Sequence, residues 1–234
     1  MANSAISAQI RKIDLMIIAA LALLALALAL VQFSDIDVWL QNNFFDFAQK
    51  KWLVDKDEPV AKFFFYKLPK ILLGFAIVSC LLGALVSKTN RRKFLIIFLG
   101  LAIIPLLAGN IKKFTNIYCP TQLEIYDGSK PYVKIFHSYA KDFHAEKRGQ
   151  CFPAGHAVTG FALFILFFVL ERKSYRFLAF FAAIIFGWIL GFYQILKGAH
   201  FFGDTLVAML VCFLIAALIA RVNEVQLAKT LPKN

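Results

Sequence analysis

The sequence predicts an all-α, polytopic membrane protein: six transmembrane helices in one bundle, with an interfacial helix in the first outer loop. Three observations carry that prediction. Hydrophobic residues make up 60% of the 234 positions and the mean hydropathy is +0.69, far above the usual composition of a soluble domain. Six apolar stretches reach or approach the roughly 20 residues needed to cross about 30 Å of hydrocarbon. Between them, basic residues fall in short runs of the kind that sets membrane orientation.

The first stretch, residues 13–33, follows Arg11 and Lys12, and Ala27-Leu28-Ala29 resembles a signal cleavage site. Its apolar run is longer than a signal core, so a retained helix is expected. Residues 70–87 and 94–111 are joined by the basic run Lys88, Arg91, Arg92 and Lys93, and residues 154–170 and 177–196 by Arg172 and Lys173; residues 203–220 come last. Basic runs packed into short loops mark the cytoplasmic side, whereas long loops translocate with little regard to charge. Both termini are therefore expected in the cytoplasm, in a bacterial-type inner membrane, with the loops 35–68 and 112–152 outside.

In the first outer loop Ile36, Leu40, Phe44 and Phe47 recur at helical spacing beside Trp39 and Trp52, the pattern of a helix along the membrane surface. A loop that only dips its aromatic side chains into the headgroups fits as well, and neither reading assigns chemistry to the segment. The second outer loop holds two of the four histidines, several lysines and the turn formers Asp127-Gly128-Ser129. No internal repeat, low-complexity tract or separate soluble domain interrupts the chain, so residues 1–234 are read as one membrane domain.

Chemistry concentrates where apolar segments meet the second outer loop and the last span. In Cys151-Phe152-Pro153-Ala154-Gly155-His156 a Pro/Gly turn leads into an apolar run, and the free N–H groups of a helix start, with Gly155 allowing close backbone approach, suit an anion beside His156. A turn whose histidine only caps the helix is the plainer alternative. His200 and Asp204 are four residues apart, a spacing that lets a carboxylate orient an imidazole and leave one ring nitrogen free to attack. Asp204 as a simple N-cap is the rival, but it leaves His200 unexplained. Zinc would have to draw His200, Asp204 and His156 together with His137 or His144, and no H-E-x-x-H or C-x-x-C pattern supports it; nor is there a nucleotide loop or a G-x-S-x-G elbow. No metal and no cofactor are expected.

Three ordered motifs now match a family pattern. Lys112 and Pro120 fit K-x6-R-P, Pro153, Gly155 and His156 fit P-S-G-H, and His200 and Asp204 fit S-R-x5-H-x3-D. Over about residues 70–221 the chain resembles the type 2 phosphatidic acid phosphatase superfamily. The resemblance implies a metal-independent phosphatase in which His200 attacks phosphorus, Asp204 supports it and His156 protonates the leaving group. Cys119, Ala154 and Gln194 stand where the motifs have arginine, serine and arginine. Lys112, Lys113, Gly155, Lys197 and Arg148 are the candidate phosphate-binding residues, the neighbouring cations replacing lost donors.

Cys80 and Cys212 lie inside apolar spans and are read as packing residues. Cys119 and Cys151 fall at the first motif and just before the second, outside the cytoplasm, where a disulfide persists. The expected partner is a membrane lipid phosphate, since a site at the membrane edge rimmed by aromatics and lysines, with a net charge of +12, suits anionic lipid rather than nucleic acid. The resemblance implies undecaprenyl pyrophosphate, lipid A, phosphatidylglycerol phosphate and phosphatidic acid as candidates, and an outward-facing site favours the first two. Lipid phosphotransfer, or a degenerate site that binds phospholipid without cleaving it, are the alternatives; oligomeric state is not legible.

Overall fold

The computed structural model describes residues 2–144 and 147–230. Apart from one two-stranded hairpin, its regular elements are helical. Among the described residues, five helical segments are long and apolar enough to cross a membrane: Ile6–Phe33 within α1 (Ala2–Phe33); Pro59–Val86, which joins α3 (Pro59–Lys62), a π-helical turn (Phe63–Lys67) and α4 (Leu68–Val86); Arg91–Gln122, which contains α5 (Arg91–Thr115); α8 (Lys173–Leu196); and α9 (Phe202–Thr230). Leu26, Phe75, Leu85 and Phe181 are exposed on these helices, as lipid-facing side chains are.

The fourth expected span, residues 154–170, is the one that differs. Its helix is only Val158–Val169, split into α6 (Val158–Phe161) and α7 (Phe164–Val169), too short to cross the hydrocarbon as a regular helix. At the break the ladder tightens: the Leu163 N–H donates to the Gly160 carbonyl at 3.2 Å and the Ile165 N–H to the Ala162 carbonyl at 3.3 Å. Gly160 faces Gly187 of α8 so closely that a Cβ would collide with the Gly187 backbone; Phe161 is wholly buried against Gly187, and Phe164 nearly so against Phe180 of α8 and Phe213 of α9. Packing small residues to bring two backbones together is a common solution inside membranes. Even so, the segment links the two ends of the bundle. Glu171, just after α7, pairs with Lys93 at 2.7 Å, and Arg92 donates to Asn223 of α9 at 2.8 Å, while Lys112 lies about 28 Å farther along α5.

α1 packs along α9. Ile13, Ala20 and Ala27 recur every seven residues on its buried face, Val31 follows one turn later, and Ala216, Ala217 and Ala220 of α9 are equally buried. A seven-residue seam of small side chains is coiled-coil packing suited to a lipid setting. Arg221 also pairs with Asp14 across 207 residues of sequence.

In the first outer loop, α2 (Ile36–Gln41) is a short helix followed by a 3₁₀ turn and the hairpin β1 (Phe45–Asp46) and β2 (Lys51–Trp52). The helical register expected through Phe47 stops here. The buried face of α2 is its polar one, Asp37 and Gln41, because these side chains bond the ends of α8 and α9; Trp39 faces out.

Candidate active site

All three motifs meet at the end of the bundle opposite the Lys93–Glu171 pair. α5 delivers Lys112 and Lys113 in its last turn, then stops at Asn116, whose left-handed backbone (φ 54°) is tolerated by asparagine and whose side chain accepts from the Gly149 N–H at 2.8 Å. The chain beyond Asn116 runs beside the approach to the second motif. Cys151 N–H donates to the Ile117 carbonyl at 2.9 Å, the Thr115 hydroxyl to the Phe152 carbonyl at 2.6 Å, and Cys119 and Cys151 are joined in a disulfide with Cα atoms 5.2 Å apart. The second motif is tied to the third by the Ala154 N–H, which donates to the Asp204 carbonyl at 3.0 Å.

His200 precedes α9 in a loop that only glycine can turn. Gly198 has φ +70°, and a Cβ there would enter the indole of Trp52. His200 and Asp204 are 4% and 2% exposed, with His200 Nδ1 3.3 Å from Asp204 Oδ2, and the same oxygen accepts from the Phe201 N–H at 2.9 Å. Asp204 is the third residue of α9 and not its N-cap: from there its carboxylate reaches back to the Phe201 N–H ahead of the helix and also holds the imidazole. The His156 ring is 5.9 Å from that of His200, and its Nδ1 is buried without a hydrogen-bond partner.

Cations surround this pair of histidines. Lys112 Nζ is 3.3 Å from the position a Cβ of Gly155 would take, so the glycine opens the space the ammonium uses. Lys197 is half-buried, its Nζ 4.8 Å from the Tyr193 ring, and burial followed by nearby Lys62 lowers its pKa. Burial, then the charges of His200, Lys70, Lys197 and Lys112, lowers His156 to about 3; burial and Lys112 lower His200 to about 3, against a smaller opposing effect of the Cys151 carbonyl. Both imidazoles are neutral near pH 7, which leaves His200 a free lone pair.

Among the phosphate-binding candidates, Lys112, Gly155 and Lys197 come together at the histidines. Lys113 is exposed, and Arg148 reaches toward the Phe114 carbonyl at 3.5 Å beside a separate polar cleft of the second loop. The helix start expected at His156 is modest: α6 begins two residues later and has only four residues, giving a weak macrodipole. Cys151, His200 and Asp204 place possible metal-binding atoms within 4.8 Å of one another, but the Cys151 sulfur is committed to the disulfide, and the two remaining donors fall short of a zinc set.

Three residues escaped the sequence reading. Asp37 of α2, 4% exposed, accepts from the Gly203 N–H at 2.7 Å, and burial, then the charge of Asp204, raises its pKa to about 7 against the lowering effect of that N–H. Tyr66, in the π-helical turn, lies 4.7 Å ring to ring from His156, and Lys70 Nζ sits 3.8 Å from the Tyr66 ring centroid. The only available signal was polar residues in otherwise aromatic or apolar stretches.

The family model of the PAP2 superfamily matches residues 93–227, a stretch that contains all three motifs. No curated protein and no solved structure matches the chain.

Proposed function

The chain belongs to the PAP2 superfamily, the type 2 phosphatidic acid phosphatases, whose members generally hydrolyse phosphate esters, and from that premise we propose that it is an integral-membrane lipid phosphatase. Its substrate is a phosphomonoester or pyrophosphate on a membrane lipid, undecaprenyl pyrophosphate or lipid A being favoured. It works as one membrane domain in a bacterial-type inner membrane, with the site at the outer face. The observation that carries this reading is the buried His200–Asp204 pair with His156 beside it in a surround of lysines.

His200 Nε2 attacks phosphorus as the bond to the leaving oxygen breaks, and Asp204 holds Nδ1–H and stabilises the imidazolium. His156 gives its proton to the leaving oxygen. In the empty site His156 is neutral because burial and cations disfavour its charge; a phosphate dianion reverses that field and raises its proton affinity. Water then attacks the phosphohistidine, His156 takes the water proton, and the P–N bond returns its electrons to His200. Lys112 and Lys197 neutralise the equatorial oxygens throughout. The chemistry calls on no metal.

The lipid part of the reading rests on an apolar cleft of about 960 Å³ between the π-helical turn and α4 on one side and α6 and α8 on the other. Phe65, Leu72, Leu163 and Leu190 line it, and Thr159 and Gly160, three and four residues beyond His156, form its wall nearest the site. A cleft of that size and character suits acyl or prenyl chains.

Phosphate release by detergent-purified protein in EDTA, from undecaprenyl pyrophosphate, lipid A and phosphatidic acid, tests the proposal. His200→Ala is expected to lower release by about 10³-fold or more. Release unaffected by that substitution, or dependent on added metal, refutes it; a labelled protein that discharges only to a second lipid identifies a phosphotransferase.

A further inference from the structure

Cys119, Ala154 and Gln194 occupy the positions of three phosphate donors in the family motifs, and Ala154 and Gln194 are 0% and 1% exposed. Oxygens brought to the histidines therefore need donors from elsewhere. The segment entering α4 offers one. Tyr66 contacts the His156 ring, and Lys70, one turn on, sets its ammonium against the same tyrosine ring. Tyr66 also falls in the π-helical turn Phe63–Lys67, a local irregularity that interrupts regular helix and recurs at functional sites.

A lysine serving only the lipid headgroups extends its stem to the water. Lys70 is exposed, yet its ammonium also lies 3.8 Å from the Tyr66 ring centroid. Lys70, Lys112 and Lys197, like most lysines among the described residues, have no carboxylate oxygen within 4.0 Å, so no ion pair neutralises any of the three. Three ammonium groups gathered at one end of the bundle repel one another, and an anion among them relieves the repulsion. The three are not equivalent. Lys112 lies against Gly155, whereas Lys70 reaches the site through Tyr66, whose ring packs on His156 at 4.7 Å, while His200 lies 5.9 Å from His156 and, among the described ring contacts, touches His156 but not Tyr66.

We propose that Lys70, held on the ring of Tyr66, is a phosphate-binding residue on the leaving-group side of His156, and that the ligand it serves is a diphosphate. The phosphate attacked by His200 lies among Lys112, Lys197 and Gly155, and the phosphate that departs with the His156 proton lies against Lys70. This assignment of sides rests on the roles given to His156 and His200 above.

Methylenediphosphonate and orthophosphate are the probes, titrated calorimetrically into detergent-purified protein in EDTA, so that binding is read without turnover. The wild type is expected to bind the diphosphonate at least tenfold more tightly than orthophosphate, and Lys70→Gln to erase about tenfold of diphosphonate affinity while changing orthophosphate less than twofold. Lys70→Arg should restore most of the loss. Lys88→Gln, the same change of charge beyond the opposite end of α4, should leave both affinities unchanged. Three results overturn the proposal: a wild type that does not prefer the diphosphonate, a Lys70→Gln protein that binds it normally, or an equal loss for both anions. Loss of diphosphonate affinity in Lys70→Gln, in a protein that releases no phosphate from any lipid, keeps the binding site and refutes the phosphatase reading alone.

Discussion

Asp37 shows how a single buried carboxylate can answer to several neighbours. Its N–H partner, Gly203, favours the charged form, but burial and the proximity of Asp204 outweigh that bond and raise the pKa to about 7 from an unfolded value near 4. The sign of the linkage follows. Between about pH 4 and pH 7 the folded protein binds a proton at this position that the unfolded chain has released, so the contribution of Asp37 to stability is greatest at low pH and declines as pH rises through 7. Asp37→Asn keeps an acceptor for Gly203 and removes the titration. Relative to wild type, its melting temperature is therefore expected to improve steadily from pH 4 to pH 8, as followed by thermal unfolding in detergent; a constant offset across that range would contradict the raised pKa. His156, His200 and Asp204 were legible in the sequence because their spacing carried a chemical meaning. Asp37 was not, since a lone aspartate in an aromatic loop has no partner until the chain folds and Gly203 arrives from 166 residues away.

At the scale of elements, the disulfide is the most consequential link. It joins the loop after α5 to the turn before α6, and with a sequence separation of 32 the chain-entropy model assigns it about 3 to 4 kcal/mol. Reduction is expected to lower stability by that order and to depress phosphate release, because Lys112 and Gly155 are carried on the two segments it unites. Thiol titration of the denatured protein should count two groups before reduction, Cys80 and Cys212, and four after it. A count of four beforehand would rule the link out. The long helices were readable from hydrophobic runs alone, but the break in α6–α7 was not: an apolar run registers length, not the place where the backbone ladder tightens to three-residue bonds. The same limit applied to α2. Its apolar residues recur at helical spacing, yet its polar side chains decide which face is buried, because they satisfy backbone groups at the ends of α8 and α9.

For the whole molecule, the two ends of the bundle differ in character. One carries Lys93–Glu171 and the Arg92–Asn223 bond; the other carries the histidines, the disulfide and both long loops. The proposed orientation, with the short basic loops in the cytoplasm, predicts that an impermeant maleimide labels Ser129→Cys in intact cells, and Lys88→Cys only after permeabilisation. The reverse pattern would invert the orientation and place the site inside. The overall helical membrane class was fully legible, since composition sets it, whereas the reach of the first outer loop over the site depends on contacts that periodicity does not encode.

The Asp37–Gly203 bond and the Trp52–Gly198 contact have a bearing on biogenesis. Both connect a part of the chain made early to one made near the end, and the Arg221–Asp14 pair spans 207 residues. Contacts of such long separation form last, after the intervening chain has been threaded and its loops closed. A growing polypeptide at the translocon thus carries His156 well before it carries an oriented His200. On the proposed mechanism, phosphate release therefore awaits the insertion of the last helix and its meeting with the first.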